Sequence, residues 1–296
     1  MRRAADQARR RRTVKNRNAL SAYMQSMGFF SKSRLRALAT ALCVSLAAGS
    51  AAAEPGELSR ARLLSGWAEP DGARMAALLV ELAPGWKTYW RNPGEAGVPP
   101  EFDWSASTNL AAAEISWPAP KVFEAFGMTT IGYSDRMLLP IKVTPSDPTK
   151  PIGLRLTLFY GVCEEVCLPA TAELSLAIAP GAPPEDAAEI GAALGRAPAP
   201  AEAGGVKAAS CEIGADRMVA RLAYAAPPAR APLVVAEGPD NVAFGAFKAR
   251  MDGDALVAEG EMRLSPGAWI DRAALRLFLL DHDGGPAYVV HGCPGA

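Results

Sequence analysis

The stretch "GLRLTLFYGVCEEVCLPATAELSLAIA" (Gly153–Ala179) decides the fold class. Leu154, Leu156, Leu158 and Tyr160 alternate onto one face of an extended chain, and Leu174, Leu176 and Ile178 do the same beyond the cysteines. A period of two is that of a half-buried strand. The loop between the runs, "GVCEEVC", is short enough for a hairpin. "RMAALLVELA" (Arg74–Ala83) and "MLLPIKVTP" (Met137–Pro145) are further strand candidates, punctuated by "PDG" at Pro70–Gly72 and "NPG" at Asn92–Gly94. Short strands between regular turns predict an all-β sandwich.

The β pattern breaks once. "PPEDAAEIGAALGRAPAPAEAGG" (Pro183–Gly205) reads as a short helix followed by a Pro/Ala/Gly linker. The expected domains are therefore 54–182, a β-sandwich, and 206–296, a second, smaller β domain, with 183–205 between them. In the second, "ALRLFLLD" puts Leu275, Leu277 and Leu279 on one face, and "AYVVHGC" (Ala287–Cys293) is the last strand.

Charge is uneven along the chain. Residues 1–53 hold 11 of the 31 basic residues and one of the 31 acidic ones, which leaves 20 basic against 30 acidic beyond them. An acidic body excludes nucleic acid as a partner, because phosphate binding needs a basic face. From Met27 the chain carries a basic region (Lys32, Arg34, Arg36), an apolar run (Ala37–Gly49) and a small-residue site (Ala51–Ala53). That is the pattern of a secretory signal peptide over 27–53, with a mature start at Glu54. Residues 1–26 then read as a non-native upstream extension. No later stretch offers about 18 consecutive apolar residues, so the expectation is a soluble, periplasmic mature chain without a membrane span.

Export governs the cysteines. Cys163, Cys167, Cys211 and Cys293 remain after cleavage, and an even count in an oxidising compartment is read as disulfides. Cys211 and Cys293 lie at the two ends of the second domain. A bond between them closes a loop of about 80 residues, which makes it the structural staple. Three readings stand for Cys163 and Cys167. An inert disulfide is one. Zinc is another, but no second knuckle accompanies the pair. The third is a redox couple, since a short-loop bond is a poor staple and a loop tip is accessible to exchange. Tyr89, with Trp86 and Trp90, reads either as a buried aromatic or as a shield or hydrogen-bond partner near the cysteines. His282, in "DHDGG", falls on a turn. Met128 and scattered further methionines leave soft copper ligation as an alternative.

Three motifs carry a resemblance over most of residues 58–180: "PGWKTYWRNPGEAGVPPEFDW" (Pro84–Trp104), "VFEAFGMTTIGYSDRMLLPI" (Val122–Ile141) and "FYGVCEEVCLP" (Phe159–Pro169). The region resembles the N-terminal periplasmic domain of the thiol:disulfide interchange protein DsbD and its relatives, including the copper-tolerance ScsB type. The resemblance implies an immunoglobulin-like sandwich with the pair at one edge. It implies Cys167 as the sulfur that forms the mixed disulfide, Cys163 as the resolving partner, and Phe123 and Phe126 as cap-loop aromatics over the pair. Gly127 and Gly132, bracketing Met128–Ile131, would permit that cap to open. It also implies a membrane electron donor and periplasmic thioredoxin-like proteins as partners, and no organic cofactor or metal. The alternatives are a non-catalytic interaction module with inert disulfides and a periplasmic copper-binding protein.

Overall fold

The computed structural model describes residues 58–295. The expected upstream extension, signal peptide and mature start at Glu54 lie outside the described residues. Ten strands come first: β1 (Ser59–Ala68), β2 (Arg74–Leu82), β3 (Lys87–Gly94), β4 (Glu101–Asp103), β5 (Leu110–Ile115), β6 (Lys121–Ala125), β7 (Met128–Ser134), β8 (Arg136–Pro145), β9 (Ile152–Cys163) and β10 (Cys167–Ile178). They form two sheets, ordered β1-β2-β8-β5 and β10-β9-β3-β7-β6, with β4 added on β9. The chain is all-β and immunoglobulin-like: two antiparallel sheets close over one apolar core. Leu78, Val80, Leu139 and Ile141 enter that core from one sheet, and Leu154, Leu156, Leu158 and Tyr160 from the other. Leu174 and Leu176 are only partly buried, because β10 is an edge strand with a neighbour on one side alone.

β2 is buried on both faces. Its second face is covered by α1 (Ala187–Leu194), whose Ile190 and Ala193 pack on Leu64, Met75, Ala77, Leu79 and Leu138. The helix is moored at both ends. The Asp186 amide donates to the Ser65 carbonyl at 2.9 Å, Arg136 pairs with Glu189 at 2.7 Å, and the Ala119 amide donates to the Arg196 carbonyl at 2.7 Å. The segment read as helix and linker is thus a packed part of the molecule.

Eight strands follow: β11 (Ala199–Pro200), β12 (Val206–Ile213), β13 (Arg217–Tyr224), β14 (Leu233–Glu237), β15 (Val242–Asp252), β16 (Ala255–Leu264), β17 (Arg276–Leu280) and β18 (Tyr288–His291). They make two four-stranded sheets, β11-β18-β17-β14 and β12-β13-β16-β15. The first of these is a middle layer. Leu275, Leu277 and Leu279 face a core shared with Leu222 and Leu256, as the alternation predicts. Phe278, Leu280 and Val289 are buried as well, in the core that holds Trp90 and Leu158. A pin joins the halves there. Arg91 makes three hydrogen bonds of 2.9–3.2 Å to the Glu237 carboxylate. Its guanidinium lies 4.3 Å from the Trp90 ring and 4.9 Å from that of Phe278.

Candidate functional site

The β9–β10 hairpin ends in three residues, Glu164 to Val166, and the pair closing it is Cys163 opposite Cys167. The two are bonded, with Cα atoms 4.1 Å apart. This is closer than the usual disulfide span of about 5.5–6 Å, because the residues oppose each other directly in an antiparallel ladder. The sulfurs are not equivalent. Cys163 is 1% exposed, whereas Cys167 sits on the exposed rim. A nucleophile from outside therefore meets Cys167 first.

The row continues across the sheet. Cys163 pairs with Lys87 on β3, and Lys87 pairs with Ser134 on β7. Directly opposed residues project to the same face, so Cys167, Cys163, Lys87 and Ser134 form one line of side chains. The Thr88 hydroxyl, fully buried, donates to the Gly161 carbonyl at 2.9 Å and ties β3 to β9 beside it. The Lys87 ammonium donates to Thr130 Oγ1 at 3.3 Å and lies 5.0 Å from the Phe123 ring centre. Burial pushes its pKa below the ordinary lysine value.

Tyr89, two residues along β3, is buried, and its hydroxyl lies 3.0 Å from Cys167 Sγ. A disulfide sulfur has no proton, so the phenol is the donor. Burial raises the Tyr89 pKa, which keeps that proton in place. The ring is gripped by small residues. A Cβ at Gly161 would stand 3.2 Å from the ring, and one at Gly97 would stand 2.7 Å from it. Of the two readings of Tyr89, buried aromatic and neighbour of the pair, the geometry satisfies both.

Phe126 is a correction. It was expected to rest on the pair, yet it is 84% exposed at the tip of the β6–β7 hairpin. The tip is a two-residue turn in which Phe126 and Gly127 both take positive φ, 54° and 74°, joining Ala125 directly to Met128. That turn leaves the Phe126 side chain in solvent. Phe123, inside the strand, is the hairpin aromatic that reaches the row, through Lys87. Gly132 is not a hinge glycine either: a Cβ there would fall on the Thr88 carbonyl oxygen, so its role is close approach of β7 to β3.

Cys211 and Cys293 are bonded to each other, both 1% exposed, with Cα atoms 5.5 Å apart. Arg272 donates to both of their carbonyls, at 2.9 and 3.1 Å. His282 is not a free turn residue. Its Nε2 donates to the Ala231 carbonyl at 3.2 Å, and its Nδ1 faces the Glu124 carboxylate of β6 at 4.0 Å. Lys87 and the two glycines around Tyr89 were missed in the sequence. The spacing of Lys87 and Tyr89 in "WKTYW", two apart on a strand, could have placed the lysine on the tyrosine's face.

Comparison with known proteins agrees with this geometry. Residues 60–179 match the family described as thiol:disulfide interchange protein DsbD, N-terminal. Among curated proteins none matches the chain. Among solved structures, the N-terminal periplasmic domain of ScsB from Proteus mirabilis is 26% identical, with a TM-score of 0.62. That match covers 82% of this chain and 96% of the ScsB domain, more than residues 60–179 can supply, so the likeness extends into the second pair of sheets. The N-terminal domain of Neisseria meningitidis DsbD in its reduced form is 17% identical over 43% of this chain and 91% of its own, with a TM-score of 0.27. With the pair, its ladder position and the family match together, residues 60–179 form a domain like the N-terminal domains of DsbD and ScsB.

Proposed function

We propose that the chain is a periplasmic thiol–disulfide interchange module, in which Cys163 and Cys167 carry reducing equivalents from a membrane-embedded thiol donor to thioredoxin-like proteins. The observation that carries this reading is the asymmetry of the pair: one sulfur on the rim, its partner buried directly behind it. A donor thiolate attacks Cys167 Sγ, a new disulfide joins donor and Cys167, and the electron pair of the broken bond goes to Cys163. A second donor thiolate then releases the reduced pair. Delivery runs the same steps backwards on an oxidised acceptor. Cys211–Cys293, buried and closing an 82-residue separation, keeps the second half folded throughout.

A redox titration against a glutathione or dithiothreitol buffer tests this. Cys163–Cys167 should reduce at a potential above the roughly −300 mV typical of structural disulfides, and Cys211–Cys293 below it. Two bonds that both resist reduction to that limit would leave an inert scaffold in place of an exchange module.

A further inference from the structure

The row that holds the disulfide also holds a cation with no anion among the described residues. Lys87 is partly buried, yet among the described residues no carboxylate lies within ion-pair distance of it. Its ammonium has one long hydrogen bond, to Thr130 Oγ1, and the face of Phe123. Burying a charge without a partner is costly, and Lys87 sits directly opposite Cys163 in the ladder. The missing anion appears when the disulfide opens. Attack on exposed Cys167 breaks the bond and leaves the electron pair on Cys163 Sγ, the sulfur beside Lys87. A lysine stem has four rotatable carbons, so the ammonium can turn from Thr130 to the new thiolate without backbone movement.

We propose that Lys87 is a positioning residue for the exchange reaction: it is the counter-ion of the Cys163 thiolate, and it exchanges its contact with Thr130 and Phe123 for that sulfur when the pair is reduced. This rests on the interchange reading above and names the group that makes Cys163 the better leaving sulfur. A thiolate stabilised in this way departs more readily, and in the reverse step it is the ionised form that resolves the mixed disulfide. The other charged and titratable groups around the row do not supply the same effect. Glu164 and Glu165, in the turn, oppose a thiolate. Tyr89 donates to Cys167. Lys121, beyond Ser134, is engaged with Ser134 Oγ at 2.6 Å and Asp135 at 3.7 Å. The swing also joins the redox state to the β6–β7 hairpin, since Phe123 and Thr130 are cross-strand partners on it.

The test uses the full chain carrying Cys167→Ala, which leaves Cys163 as the free thiol of the pair. The ultraviolet absorbance of the thiolate is followed against pH with Lys87 intact and with Lys87→Met, which keeps the stem and removes the charge. Cys43 is common to both proteins, so the difference between the curves belongs to Cys163. The Cys163 thiolate fraction at neutral pH should fall about tenfold in Lys87→Met, the low end of what an adjacent opposite charge supplies, and Lys87→Arg should restore it. Coincident curves with and without the lysine charge, in folded protein, overturn the proposal. So does a Lys87→Arg protein that titrates like Lys87→Met, because the lysine would then act through its shape. If Lys87→Met does not fold, Lys87→Gln reads the same quantity. No partner enters the measurement. A charge-dependent titration in a chain whose pair exchanges with no thiol protein would sink the interchange reading and leave Lys87 standing; the opposite result would do the reverse.

Discussion

At the scale of single residues, the site is built from contacts that a strand pattern conceals. The phenol of Tyr89 is aimed at Cys167 by a ring slot that Gly161 and Gly97 leave open. Tyr89→Phe keeps the ring and loses only the hydroxyl. It should cost no more than about 1–1.5 kcal/mol of stability, read from denaturant midpoints, while slowing the reaction of Cys167 with dithiothreitol several-fold as the departing or attacked sulfur loses its hydrogen-bond donor. Gly161→Ala should be the more damaging change, since its methyl meets the Tyr89 ring at 3.2 Å and Val98 at the same distance. The cysteines and the hairpin between them were legible because their spacing is local; Tyr89 stood out only through its aromatic cluster, since its contact with Cys167 spans 78 positions. Lys87 was not singled out, because its importance comes from a ladder pairing with a residue 76 positions away, and the register of β3 on β9 is a tertiary fact.

At the scale of elements, two hairpins meet β3 from opposite sides. The β9–β10 hairpin holds its cysteines in register through twelve ladder pairs, so opening the sulfur bond leaves the backbone where it was. Cys163 then remains at high effective concentration beside any mixed disulfide on Cys167. Cys163→Ala should therefore accumulate a covalent adduct with an acceptor thiol protein on a non-reducing gel, and Cys167→Ala should accumulate none. The resemblance implies a lid in the β6–β7 hairpin, and its Phe126 part fails for a physical reason. Composition marks a turn, but whether a turn residue folds back or stands out depends on the φ angles of both central residues, which the sequence does not state. With Phe126 84% exposed, Phe126→Ala should shift stability by less than about 0.5 kcal/mol and leave dithiothreitol reduction of the pair unchanged. Phe123→Ala, which removes the ring under Lys87, should change that rate.

At the scale of the whole molecule, the alternation of "ALRLFLLD" puts Leu275, Leu277 and Leu279 on one face, which is a core face, but says nothing of Phe278 and Leu280, which are buried too. The unbroken run Leu277–Leu280 is the sign of a strand covered on both faces, and both covers exist: one core per face. The linker reading of 183–205 missed its packing for a similar reason, since Ile190 and Ala193 have partners only once the sheet of β2 is formed. Phe278→Ala should cost about 3–5 kcal/mol and lower the melting temperature of the chain as one transition, because Phe278 edges against Trp90 at 5.2 Å across the two halves. The doubly covered layer also separates two clocks. Amide protons of β17 can exchange with solvent only when the molecule opens globally, the slowest event available to it, whereas the sulfur bond at the end of the β9–β10 hairpin is open to attack at the rim without any such opening. Deuterium uptake should thus leave β17 dark through many cycles of oxidation and reduction, so that repeated turnover draws nothing from the stability of the fold that carries it.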